Sequence, residues 1–172
     1  MKLVAIVGTN SDRSTNRKLL KFMAKHFSDS ADIEILEIKG LPAFNEPEDK
    51  LAPAPVADFS QKIASADGVI IATPEYDHTI PAPLASALEW IAYTSRVLIN
   101  KPTMIVGASL GALGTSRAQA HLRQIIKVRS FFHWVFRKGS FRHFNFRQIA
   151  SICHAEPVIF GPHHFLNGRL SS

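Results

Sequence analysis

The chain has 172 residues, of which 46% are hydrophobic and 20% are charged, as in an ordinary globular protein. This length predicts a single domain over residues 1–172, and no apolar run is long enough for a membrane span. The lone cysteine, Cys153, excludes an internal disulfide. A reduced, cytoplasmic setting is therefore expected, since the first residues also lack a signal-peptide pattern.

The net charge of +6 is confined to the end of the chain. Residues 127–172 contain seven of the 20 Lys and Arg residues and one of the 14 acidic residues, which leaves 13 of each before them. The same segment holds eight of the twelve Phe and five of the eight His residues. This change in composition separates a neutral body from a basic, aromatic tail.

The neutral body alternates between two kinds of apolar pattern. Short β-branched runs predict strands over residues 2–8, 32–38, 68–73 and 102–109. Helical spacing of apolar residues predicts one helix marked by residues 20–27 and a second marked by residues 56–63 that ends near residue 67. Two more helices are predicted over 82–93 and 117–126. Strands that alternate with helices predict an α/β fold with a parallel sheet covered on both faces.

Functional groups are concentrated in three loops that follow predicted strands, over residues 9–16, 74–81 and 109–115. Ligands of an open parallel sheet bind beyond the carboxyl ends of its strands. Three such loops around one crevice therefore predict a small-molecule site.

The first of these loops leads into a helix, whose free backbone N–H groups and dipole favour an anion. It adds one full charge, Arg13, and the neutral hydrogen-bonding residues Thr9, Ser11, Ser14, Thr15 and Asn16. Either a phosphate binds here, or Ser14 or Thr15 only caps the helix. Neither the Walker pattern nor G-x-G-x-x-G follows the first strand. Many hydroxyl donors suit a terminal phosphate monoester better than a bridging pyrophosphate.

Four stretches within residues 2–126 form a recognisable series, which in chain order is GTNSDRSTNRKLL, LPAFNEPED, ADGVIIATPEYDHTIPAPLASALEW and GASLGALGTSRAQAHLRQI. The series resembles a known family, the NAD(P)H-dependent FMN reductases of flavodoxin-like fold, which include chromate, quinone and azo-dye reductases. The resemblance implies a three-layer flavodoxin-like sandwich with strand order 2-1-3-4-5, in which the fifth strand is left uncertain.

The resemblance also implies an FMN site built from the three loops. The phosphate would contact Thr9, Ser11, Ser14 and Asn16, and the isoalloxazine ring would lie between Pro74, Glu75, Tyr76 and Asp77 on one side and Ser109, Leu110 and Gly111 on the other. Two positions depart from the family pattern. Ser11 stands where an arginine is common, with Arg13 the nearest replacement, and Asp77 stands where the family has Asn.

The activity implied is hydride transfer from NAD(P)H, as co-substrate, to FMN, followed by electron transfer to a quinone, free flavin, azo dye or metal oxyanion. No metal and no catalytic acid or base of the protein is required, because the cofactor carries the chemistry. The resemblance further implies a homodimer or homotetramer, with Trp90 facing the partner. The alternatives are a non-enzymatic, flavodoxin-type electron carrier and a protein that binds nucleic acid or membrane through its basic tail.

The resemblance ends at residue 128. Residues 128–155 contain no acid and are rich in Phe, Arg and His. Three interpretations remain open: a divergent insertion followed by a fifth strand in PVIFG (157–161), a shifted reading frame, and a basic–aromatic patch for nucleic acid or an anionic membrane.

Overall fold

A computed structural model describes residues 1–109 and 114–129 and a short strand at 159–160. The strands are β1 (Lys2–Val7), β2 (Asp32–Glu37), β3 (Gly68–Ala72), β4 (Thr103–Ala108) and β5 (Ile159–Phe160). The α-helices are α1 (Thr15–His26), α2 (Ala54–Ala64), α3 (Ala82–Trp90) and α4 (Ser116–Arg129). Within the body of the chain, the predicted order of strands and helices is confirmed.

All strand pairs are parallel, in the order β2-β1-β3-β4-β5. The pairing of β1 with β3 sets Val4 beside Val69, and β5 pairs with the end of β4 through Gly107↔Ile159. The flavodoxin-like strand order is confirmed, and the two residues of β5 lie within the stretch PVIFG. Parallel order at β1 and β3 brings their carboxyl ends, and the loops after them, to one edge of the sheet.

Side chains of alternate residues in β1 enter two separate cores. Leu3, Ala5 and Val7 pack on the face covered by α1, with Leu20 at its centre. The opposite core contains Val4 and Ile6, together with residues from α2, α3 and α4 (Phe59, Ile63, Leu84, Leu88, Ala118 and Leu122). The sheet is thus sandwiched between helices, as predicted, and strands apolar on both faces are what such burial requires.

The helix predicted over residues 82–93 is α-helical only to Trp90. It continues as a π-helical turn, Ile91–Ser95, and ends at Arg96, whose φ of 54° is left-handed. The expectation that Trp90 faces a partner is wrong for the described chain, because its side chain is only 4% exposed. The loop after β2 folds back over it: Phe44 packs edge-on at 5.0 Å and the indole Nε1 donates to the Pro42 carbonyl.

The basic–aromatic segment 128–155 lies almost wholly outside the described residues, so its three interpretations stay open. Among the described helices, none combines the length and apolar character that crossing a membrane demands.

Candidate functional site

The loops after β1 and β3 leave the sheet in contact with each other. The backbone N–H of Gly8 donates to the Ala72 carbonyl at 2.8 Å. A Cβ on Gly8 would lie 2.6 Å from that oxygen, so only glycine permits this approach. One step further on, the Thr9 hydroxyl lies 3.5 Å from the Tyr76 hydroxyl. The first and second predicted loops therefore meet in one crevice.

The first loop presents free backbone N–H groups where α1 begins. Ser14 is the N-cap and accepts from the Arg17 N–H, and the Thr9 hydroxyl accepts from the Ser11 N–H. In the described part of the chain, no hydrogen-bond acceptor is recorded for the backbone N–H groups of residues 12, 13, 15 and 16. Several unpaired N–H donors at a helix N-terminus, with neutral hydroxyls around them, are suited to a phosphate monoester.

The side chains of Thr15 and Asn16 bind the end of β4. The Asn16 amide is buried, donates to the Ala108 carbonyl at 3.1 Å and accepts from the Ala108 N–H at 2.8 Å. The Thr15 hydroxyl donates to the same carbonyl. This Asn16–Ala108 clamp holds Ser109, the first residue of the third predicted loop, beside the start of α1. The backbone N–H groups of Thr15 and Asn16 remain available to a ligand, although the side chains of both residues are hydrogen-bonded to Ala108.

The second loop folds into a tight turn. Tyr76 and Thr79 exchange backbone hydrogen bonds at 3.1 and 3.0 Å, and the two residues between them, Asp77 and His78, have φ of 48° and 64°. Two consecutive positive φ angles are typical of a type I′ turn. The turn leaves Tyr76 50% exposed, so its ring forms an open wall of the crevice.

Glu75 extends from this turn to α4. Its carboxylate accepts from the N–H groups of Arg117 and Ala118 at 3.0 and 3.2 Å, in the first turn of that helix. Arg117 also contacts His78 Nδ1 at 2.6 Å. A carboxylate at a helix N-terminus is favoured by the helix dipole. The Glu75 carboxylate is therefore occupied by hydrogen bonds to the first turn of α4.

Four charged residues, which we call the loop clasp, join the first loop to the end of β2. Arg17 binds Glu37 through Nε at 2.5 Å and Nη2 at 2.7 Å, and its Nη1 donates to the carbonyls of Ser11 and Asp12 at 2.6 and 3.3 Å. Lys39 adds a 2.6 Å bond to the Asp12 carboxylate. Glu37 raises the pKa of Arg17 by hydrogen bonding, and Lys39 lowers that of Asp12 in the same way.

Sequence reasoning missed the loop clasp. Arg17 follows the loop directly, but its partners lie up to 20 positions away. The signal available was an arginine immediately after the hydroxyl loop and a glutamate at the end of the next strand.

The structure brings most predicted site residues to one edge of the sheet. Those at this edge are Thr9, Ser11, Arg13, Ser14, Thr15, Asn16, Pro74, Glu75, Tyr76, Asp77 and Ser109. Leu110 and Gly111 lie outside the described residues. In the parts of the chain that are described, no three His, Cys, Asp or Glu side chains gather as a metal site would require.

A sequence model of one family, described as NADPH-dependent FMN reductase, matches residues 1–146. The chain belongs to this family. At the level of the family, the predictions of an oxidoreductase, of FMN as cofactor and of NAD(P)H as co-substrate are confirmed.

Three proteins to which the chain is similar illustrate the family. An NADH:(hydroxy)cinnamate reductase subunit, CrdA, from Vibrio ruber is 64% identical over 126 residues, which are 73% of this chain and 62% of that protein. Subunit 2 of an NADH-dependent flavin reductase from Lactobacillus johnsonii is 50% identical over 73% of this chain and 70% of its own length. The structure of FerB, a flavoenzyme NAD(P)H:(acceptor) oxidoreductase from Paracoccus denitrificans, matches with a TM-score of 0.70 and 28% identity, over 75% of this chain and 72% of FerB.

Proposed function

We propose that the chain is an FMN-dependent oxidoreductase that takes electrons from NAD(P)H and passes them to a second acceptor. One observation carries the proposal. The unpaired N–H groups of the first loop, the Tyr76 turn and the clamped end of β4 lie together at the carboxyl edge of the sheet. This is the place where a flavodoxin-like fold binds a flavin mononucleotide.

The first loop supplies the phosphate site in this proposal. The phosphate accepts from the backbone N–H groups of residues 12, 13, 15 and 16 and from Ser11 and Arg13, both of which are exposed. Thr9 and Ser14 are already engaged within the loop and shape it. Net positive charge comes from Arg13 and the helix dipole, so affinity for the phosphate falls as salt rises.

The other two loops hold the flavin ring. Pro74, Tyr76 and Asp77 border one side, Glu75 fixes this loop against α4, and Ser109 borders the other side. Leu110 and Gly111, which lie outside the described residues, are kept in the proposed site because the family resemblance implies them. FMN, when bound, supplies the ring atom that accepts hydride from the nicotinamide. The chain binds and orients the cofactor and leaves the half-exposed Tyr76 edge open to the donor and the acceptor.

The names of two relatives support NADH as the donor and a further subunit as a partner. Both the 64% and the 50% identical relatives are named as subunits of NADH-dependent reductases, whereas a 2-hydroxy-1,4-benzoquinone reductase is 35% identical. We infer that NADH is the donor and that a partner subunit accepts electrons, with quinones or free flavin as small-molecule acceptors. A single domain over residues 1–172, a homodimer as the state of the isolated chain, and a cytoplasmic location complete the proposal.

The decisive experiment is a visible spectrum of the purified full-length protein before and after addition of FMN, followed by an NADH oxidation assay. Bound flavin absorption and NADH oxidation that depends on a quinone are expected. Protein that neither carries nor takes up FMN would refute the proposal. Flavin binding without NADH turnover, but with fast electron exchange with a partner protein, would favour the flavodoxin-type carrier instead.

A further inference from the structure

We propose that Arg17 is the positioning residue of the phosphate loop, and that it fixes the discrimination between FMN and the same flavin without a phosphate. The inference rests on the proposed function. Arg17 contacts the carbonyl side of the loop, opposite the N–H groups that are proposed to bind the phosphate.

Peptide geometry makes the loop clasp directional. The Arg17 guanidinium donates hydrogen bonds to the backbone carbonyls of Ser11 and Asp12. In a trans peptide, the carbonyl and the N–H of the next residue point in opposite directions. With both carbonyls held toward Arg17, the N–H groups of Asp12 and Arg13 are turned away from it. These are two of the donors that have no recorded acceptor within the described chain.

The guanidinium is itself held in place. Its side chain is only 15% exposed, and both oxygens of Glu37, the last residue of β2, accept from it. A bidentate arginine–carboxylate pair fixes orientation as well as distance. Lys39 holds the Asp12 side chain from the same direction, but this pair is well exposed, so it contributes less. Arg17 therefore transmits the rigid position of β2 to the loop.

A lysine cannot reproduce this arrangement. Arginine presents five donors in a flat fork, and four of its hydrogen bonds are made here to three different residues. Lysine keeps the charge but is a single point with three donors on a flexible stem. The substitution Arg17→Lys therefore keeps the positive charge but removes the positioning of the loop carbonyls.

The experiment measures the Kd of FMN and of riboflavin, which lacks the phosphate, by flavin fluorescence titration of the full-length protein and its variants. For Arg17→Met we expect FMN to bind about tenfold more weakly and riboflavin within about twofold of the unmodified protein, since only phosphate contacts are lost. Arg17→Lys should show most of the same loss. The ³¹P resonance of bound FMN should shift in both variants.

Lys62→Met is the matched control, because Lys62 makes a comparable 2.7 Å pair with Glu34 on the same strand and its loss changes the net charge equally. Glu37→Gln is a second variant, milder than Arg17→Met, which loosens the guanidinium and should give an intermediate loss. Circular dichroism checks that each variant is folded.

The outcomes separate the two proposals. Equal weakening of both flavins, or full FMN affinity in Arg17→Lys, would refute the positioning role and leave the proposed function standing. If the unmodified protein binds neither flavin, the proposed function fails and this inference fails with it.

Discussion

Asp77 is the residue of the proposed flavin site that departs from the Asn of the family pattern. It occupies a left-handed position with φ of 48°, which Asn tolerates at least as well as Asp. Its carboxylate is exposed at the tip of the turn. The backbone there accepts either residue, so an exchange for Asn tests electrostatics at the ring and leaves the turn intact.

We expect Asp77→Asn to bind FMN roughly two- to tenfold more tightly, because a negative charge is removed and an amide donor is gained near the polar edge of the ring. Titration of the apoprotein with FMN measures this. Asp58→Asn, an exposed acid on α2, controls for net charge. Equal or weaker affinity in Asp77→Asn would contradict the placement of this residue beside the flavin.

Asn16 joins the start of α1 to the end of β4 through two buried hydrogen bonds. Asn16→Ala leaves the Ala108 N–H without its side-chain partner in a buried position and leaves the Ala108 carbonyl with only the Thr15 hydroxyl. We expect a loss of about 2–3 kcal/mol in the free energy of unfolding, measured by urea denaturation. Asn10→Ala, at an exposed residue of the same loop, should change stability by less than about 0.5 kcal/mol. Similar stabilities for the two variants would show that the clamp is dispensable.

At the scale of elements, the loop after β2 is anchored on α3 and the π-helical turn. Phe44 lies between the rings of Trp90 and Tyr93, and its N–H donates to the Ser86 hydroxyl. The Glu46 carboxylate accepts from the Tyr93 hydroxyl and raises its pKa above the ordinary value. This aromatic contact covers the side of α3 that was expected to face a partner.

The raised pKa of Tyr93 predicts a pH dependence at the alkaline end. Because the folded-state pKa lies above that of the unfolded chain, the stabilisation is fully present below about pH 10 and is lost as pH rises through the folded-state pKa. Absorbance at the tyrosinate band should therefore show a step above the ordinary range of tyrosine. Tyr93→Phe should remove this late step and Glu46→Gln should shift it down. A late step that persists in Tyr93→Phe would contradict its assignment to Tyr93.

The elements themselves could be predicted from the sequence with little error. A strand buried on both faces has to be an apolar run, and each such run of the body became a strand whose ends moved by a residue or two. The meeting of the first two loops at one edge of the sheet also followed from parallel order. What could not be predicted was the partner of each side chain: Asn16 reaches Ala108 across 92 positions and Glu75 reaches Arg117 across 42. No local pattern encodes such pairs, because they depend on how helices are placed on the sheet.

On the scale of the whole molecule, the exposed turn offers part of its surface to the proposed homodimer. Tyr76, a large aromatic residue at the mouth of the crevice, keeps half of its surface in water. Association that shields this wall would stabilise a bound ring. We therefore expect light scattering on the purified holoprotein to give twice the 19.0 kDa of one chain. A single-chain mass at micromolar concentration would contradict this.

The Asn16–Ala108 clamp has a consequence for folding during synthesis. Asn16, in the first turn of α1, is held by the end of the fourth strand, and more than half the chain must be synthesised before the two can meet. Contacts so distant in sequence form late and slowly. On the ribosome, the first loop therefore emerges early but reaches its working shape only after β4 has joined the sheet. Until then, the cofactor site of the nascent chain is not fully formed.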